Sequence, residues 1–133
     1  MLCDGEAIRA KANGQTVYDA INRMLRESPI GSRGIIYLPY LLGERSPRWN
    51  PIARGAYIGL TMEHSRSDLV HAALEGVLMN LSIILECFRK QQPIDSLRLI
   101  GGLAQSDEIC KMLADIFGVR AVLMDKLEEA TSM

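Results

Sequence analysis

Cysteine is sparse in this chain, and what there is forms no pattern. Cys3, Cys87 and Cys110 are far apart and odd in number, and no Cys-x-x-Cys or His-Glu-x-x-His spacing occurs. This excludes a disulfide scaffold and offers no thiolate metal site. The three read as reduced, partly buried thiols of a cytoplasmic protein. Histidine is scarcer still: His64 and His71 lack acidic or thiol partners at ligand spacing, so no metal-binding residue is nominated. An excess of charge of one sign is also missing. A net charge of −1 removes the electrostatic case for nucleic acid or an anionic membrane surface as a partner. No uninterrupted apolar run approaches the roughly 20 residues of a bilayer span. The opening Met-Leu-Cys-Asp-Gly-Glu carries an acidic pair where a signal peptide has a basic region.

What remains is a chain of 133 residues, 48% hydrophobic, which is one domain's worth with enough apolar residues to bury a core. Thr16 can cap a helix whose apolar positions Val17, Ala20, Ile21, Met24 and Leu25 fall on one face, and Ser28-Pro29 stops it. Ile35 to Leu38 read as a short buried strand and Ala56 to Leu60 as another. Between them lie three of the five prolines and the only tryptophan, Trp49, so this stretch is neither regular helix nor central strand. Within it Glu44, Arg45, Arg48 and Arg54 are expected to pin the loop through ion pairs and carbonyl contacts, and Trp49 and Tyr40 to anchor it.

Ser65 and Asp68 form a capping box for a helix from about Ser67 to Lys90. Val70, Leu74, Val77, Leu81, Ile84 and Phe88 are expected to form its core-facing stripe. Gly76 inside it suggests a close contact, and Glu75 is expected to accept amide hydrogens from a neighbouring loop. The most regular unit follows. Leu97 to Ile100 is a strand, Gly101-Gly102-Leu103-Ala104-Gln105 a turn, and Ser106 the cap of a helix with Ile109, Met112, Leu113, Ile116 and Phe117 on its apolar face. Gly118 is placed to end that helix, and Val119 to Met124 is a second strand. A βαβ unit of this length implies a parallel strand pair. Cys110 and Met112 read as packing residues and Asp115 as bonded to nearby backbone or an arginine.

The Gly101-Gly102 turn is the best candidate site. It joins the carboxyl end of a strand to a helix N-terminus, where unpaired amides carry partial positive charge and glycine lets a ligand approach the backbone. The physics suits a phosphate, although a tight turn and nothing more would need the same glycines.

Gly55-Ala-Tyr-Ile-Gly-Leu60, seven residues, Asp68-Leu69, two residues, and Ala72-Ala-Leu-Glu75 together resemble a signature of the FGGY carbohydrate kinases. The run Leu38-Pro-Tyr-Leu-Leu-Gly-Glu-Arg-Ser-Pro-Arg-Trp-Asn-Pro51 is most similar to the xylulokinase branch. The likeness covers about Gly34 to Met133, with residues 1–33 a helical lead-in. Residues 34–66 would hold a strand and the Pro-rich loop. Residues 67–133 would hold the long helix and the βαβ unit, truncated before a last helix that Thr131 or Ser132 would cap. The resemblance implies an α/β fold, part of a ribonuclease-H-like/actin-like ATPase domain, and a complete enzyme that transfers phosphate from ATP with Mg²⁺ to D-xylulose. Gluconate or glycerol as the sugar is the alternative. It places the nucleotide's phosphates and adenosine beside Gly101, Gly102, Leu103 and Ser106, with Leu103 standing where the family usually has a third glycine. It also places the catalytic aspartate, the sugar lobe and the first phosphate loop upstream of residue 1. No catalytic residue is therefore expected in this chain, and Asp4 and Asp19 are not nominated. A reading from another class is a stand-alone non-catalytic module that binds a partner, or self-associates, through an incomplete sheet edge that exposes apolar surface.

Overall fold

The structure, a computed structural model, describes Gly5, Ala12 and residues 14–123. Cys3, Asp4, the strand end at Met124 and the caps at Thr131 and Ser132 lie outside the described residues. Helix α1 spans Val17–Glu27. Thr16 Oγ1 accepts from the Asp19 amide at 3.2 Å, and the Asp19 carboxylate accepts from the Thr16 amide at 2.8 Å. Of the apolar face, Ala20, Met24 and Leu25 are buried, whereas Val17 is exposed.

After Ser28-Pro29 the chain makes a left-handed turn. Gly31, Ser32, Arg33 and Gly34 have φ of 80°, 47°, 53° and 92°. Two of these carry side chains that disfavour that region by about 1–2 kcal/mol each. The turn leads into β1 (Ile36–Leu38), which pairs antiparallel with β2 (Ala56–Ile58), Tyr37 opposite Tyr57 with ring centroids 4.6 Å apart. Ile36 is exposed, so β1 is not the buried strand its composition suggests; Ile35 just before it is buried instead.

Helix α2 (Arg66–Arg89) packs against α1, β1 and the Ser32–Gly34 turn, and against the next helix, α3 (Asp107–Phe117). Ser65 and Asp68 form the expected capping box. Gly76 is where β1 crosses: a β-carbon there would overlap the Tyr37 carbonyl oxygen and lie 3.1 Å from its carbon. Length and composition alone would let α2 span a membrane. However, its buried positions include Asp68, His71 and Glu75, and their hydrogen bonds inside the protein make it a core helix. The stripe expected to face the core is partly displaced. Val70 of that stripe is buried and Leu74 and Ile84 are partly buried, but Val77, Leu81 and Phe88 are exposed, and Asp68, His71, Ala72, Glu75, Leu78 and Leu85 are buried in their place. The cause is the polar network at the helix's first half, which fixes the inward face independently of hydrophobicity.

The last unit is β3 (Ser96–Leu99), a 3₁₀ turn at Gly102–Gln105, α3, and β4 (Arg120–Leu123). β3 and β4 are parallel, with Leu97 beside Ala121 and Leu99 beside Leu123. Gly118 ends α3 at φ 59°. Leu78, Leu85, Phe117 and Val119 form a buried cluster, with Ile94, Leu97, Met112, Leu113 and Ile116 packed on it. Arg89 Nη2 donates to the Phe117 carbonyl at 2.6 Å, tying the end of α2 to that of α3.

Candidate functional site

The glycine turn leaves the carboxyl end of β3. Gly101 has φ 97°, a region L-residues rarely adopt, and its carbonyl accepts from the Ala104 amide at 3.1 Å. It is exposed, and a β-carbon added there would meet nothing within 4 Å. Gly102 differs. A β-carbon there would overlap Tyr18 Oη and lie 3.0 Å from Tyr18 Cζ, so this glycine makes room for α1. The backbone of Leu103 lies in the 3₁₀ turn Gly102–Gln105.

Ser106 is fully buried. Its Oγ accepts from the Ile109 amide at 3.2 Å and donates to Asn22 Oδ1. Its side chain thus caps α3 and ties it to α1; it is not turned toward a ligand. Asp107 and Glu108 sit in the first turn of α3 and complement its positive end. Ser106 thus takes up the Ile109 amide of the helix terminus, and Gly101 is the exposed backbone of the turn before it.

A second constellation, only partly visible in the sequence, joins the left-handed turn to α2. Glu75 accepts from the Gly31 amide at 2.8 Å and from Ser32 Oγ at 2.7 Å, as expected of a loop-holding carboxylate. His71 Nδ1 lies 3.0 Å from Ser32 Oγ and 3.4 Å from Glu75 Oε2. Serine and glutamate meet the same ring nitrogen, so this is not a relay that could activate Ser32. Asp68 accepts from Ser28 Oγ at 2.8 Å and lies 3.4 Å from Arg33 Nε. Burial would raise its pKa, but hydrogen bonds from Ser65 and Ser28 and the Arg33 charge outweigh this and hold it at about 2. Burial likewise opposes, and His71, Gly31 and Ser32 reverse, the shift at Glu75, which ends below the ordinary carboxylate value. These groups are a clamp that offsets the backbone strain of Ser32 and Arg33.

The proline loop is pinned only in part as expected: Arg54 bonds carbonyls, the Arg48 amide donates to Glu44 Oε1 at 3.4 Å, and among the described residues the Arg45 and Arg48 side chains form no ion pair. Glu44 and Asn50 exchange backbone hydrogen bonds at 2.9 and 2.8 Å, and Arg54 Nη1 donates to the carbonyls of Pro51 and Ala53 at 3.2 and 2.8 Å. Tyr40 Oη reaches Asn80 Oδ1 at 3.4 Å. Trp49 is 76% exposed and anchors nothing among the described residues. A cleft of about 550 Å³ separates this loop from Val77, Asn80 and Leu81. Another, of about 210 Å³, lies between α1, α2 and α3 and is lined by His71, Glu75 and Asp115 among others. Neither is lined by the glycine turn, which is an open shelf. Asp115 makes no hydrogen bond among the described residues, contrary to expectation. Cys110 is buried as a packing residue, its pKa raised by burial and then by Asp107, while Cys87 is exposed.

This architecture is that of known sugar kinases. It superposes on a xylulose kinase from Lactobacillus acidophilus with TM-score 0.76 and 32% identity, covering 87% of this chain and 24% of that one. A gluconate kinase from the same species gives TM-score 0.74 and 33% identity, covering 86% and 23%. The fold is therefore α/β, of the actin-like, ribonuclease-H-like ATPase class. The C-terminal domain of the FGGY family of carbohydrate kinases matches residues 4–133, and the chain belongs to that family. The match takes in most of the lead-in, where the sequence suggested likeness only from Gly34. Among curated relatives, a gluconokinase of Bacillus licheniformis is 37% identical over 97% of this chain and 26% of its own length. A xylulose kinase of Bacillus subtilis is also 37% identical, over 73% and 20%. The chain thus spans about a quarter of the length of the curated relatives it matches. Gluconokinases match it as well as xylulose kinases do, so the similarity does not single out xylulose.

Proposed function

We propose that this chain is the C-terminal portion of an ATP-dependent sugar kinase and forms one wall of its nucleotide site. The observation that carries this is the open, left-handed Gly101 at the carboxyl end of β3, in a chain matched along residues 4–133 by the FGGY C-terminal domain. The backbone of Gly101, Gly102 and Leu103 would face the nucleotide, with Ser106 beneath it fixing the start of α3. When bound, ATP supplies the phosphoryl group, and the turn's part is to hold and orient it. Among the described residues no group of three His, Cys, Asp or Glu could hold a metal ion. Mg²⁺ would accompany the nucleotide's phosphates and be held by residues outside this stretch. The catalytic base and the sugar-binding lobe would be supplied there too, in the cytoplasm where such metabolic kinases work.

For the sugar, D-xylulose and D-gluconate are the two candidates, with glycerol a more distant third. Calorimetry with ADP tests the half-site: measurable binding by the 133-residue chain is expected, and none at millimolar ADP would overturn it. The same chain should turn over no ATP with either sugar. Turnover would overturn the assignment of the base to another segment. A second reading, a self-associating module, is favoured by the exposed Val77, Leu81 and Phe88 and is tested at the scale of the whole molecule below.

A further inference from the structure

Helix α1 carries a second stripe besides its apolar one. Tyr18, Asn22 and Arg26 follow one another at intervals of four and so share a face. Each meets the glycine turn or the start of α3. Tyr18 Oη fills the space that a β-carbon on Gly102 would need. Asn22 Oδ1 accepts the hydrogen of the buried Ser106 hydroxyl. Arg26 Nη1 lies 3.2 Å from Glu108 Oε1. The arginine contact is largely exposed and contributes little. The other two are close and at least half-buried, and they act on the middle of the candidate ligand surface, at Gly102, and on the helix cap that follows it, at Ser106.

We propose that Tyr18 and Asn22 are positioning residues for the nucleotide turn, so that α1 works as a strut that sets where the Gly101–Leu103 backbone points. The inference rests on the reading that this turn faces a nucleotide. Asn22 acts through Ser106: with its acceptor gone, the Ser106 hydroxyl is buried without a partner and the α3 cap is free to shift. Tyr18 acts by contact. Its phenol supplies the three atoms nearest to where a β-carbon on Gly102 would stand, so it fixes how close the turn can come to α1.

The test is ADP affinity by calorimetry, with amide exchange of residues 101–105 and the melting temperature followed on the same samples. Asn22→Ala is expected to speed exchange in the turn and weaken ADP binding about tenfold, the loss of one hydrogen bond. Asn22→Asp, which keeps an acceptor, should restore both. Gly102→Ala should weaken binding in the wild-type background, where its β-carbon meets the phenol, and far less when combined with Tyr18→Ala. If the wild-type chain binds no ADP, the nucleotide reading fails and this role with it. If the wild type binds and Asn22→Ala and Tyr18→Ala leave affinity unchanged, even with a lower melting temperature, the inference alone is overturned. Failure of Asn22→Asp to rescue would likewise overturn the part given to Asn22.

Discussion

Gly76 and Asp68 lie two turns apart on α2 and act through opposite properties, one by having no side chain and the other by keeping its charge. Gly76→Ala gains about 1 kcal/mol of helix propensity, yet its β-carbon would run into the Tyr37 carbonyl of β1. A net loss of about 1–3 kcal/mol is expected, as for overpacked sites, and a lowered urea midpoint would register it. Asp68 titrates near 2 when folded against 3.8 in the unfolded chain. A depressed carboxylate stabilises the fold above its unfolded value, and that stability drains as pH falls through the folded one. Roughly 2 kcal/mol should therefore be present above pH ~4 and vanish toward pH ~2. Glu75 contributes in the same direction. Asp68→Asn should flatten the acid limb of a stability–pH curve, measured by denaturant titration. The glycine contact and the role of Glu75 were legible in the sequence, since a glycine and an acid in mid-helix each need a reason. The partner Ser32 was not, because nothing in a linear pattern brings a residue 43 positions away onto that carboxylate, whereas His71 stands at the helical i, i+4 spacing from it.

At the scale of elements, local signals carried far. Three caps, at Thr16, Ser65 and Ser106, stand where the residues announce them, and the βαβ unit has the strands, turn and helix its pattern implies. What failed in part was the facing of α2, where Val70 is buried as expected but Val77, Leu81 and Phe88 are not. A helix apolar nearly all round offers several equally good stripes, and only the clamp decides among them. Ser65→Ala removes half of the capping box and frees one end of Asp68. About 1 kcal/mol should be lost, visible in thermal unfolding by circular dichroism, and Ser65→Thr should recover most of it. The stripe of Tyr18, Asn22 and Arg26 is visible in hindsight as an interval of four, but its meaning depends on α3 packing alongside, which spacing does not reveal.

The whole molecule leaves an apolar surface open. Val77, Leu81 and Phe88 of α2 are exposed together, and Leu41, Leu42 and Met62 are exposed elsewhere. In a chain about a quarter the length of its curated relatives, such a face fits contact with further protein. Isolated, the chain should associate with rising concentration, as measured by light scattering. Leu81→Lys with Phe88→Glu should shift it toward the monomer with little change in melting temperature. A wild-type chain that stays monomeric at high concentration would count against the self-associating reading and leave the kinase portion as the account of this face.

A parallel pair of strands has two unlike rims, one where both chains enter and one where both leave, and Gly101 stands on the leaving rim of β3 and β4. Anything bound there is approached from beyond the strand tips and not across the flank of the sheet. A ligand held there would thus meet the strands end-on, along their axes, with the Asn22–Ser106 contact joining α1 to α3 behind it.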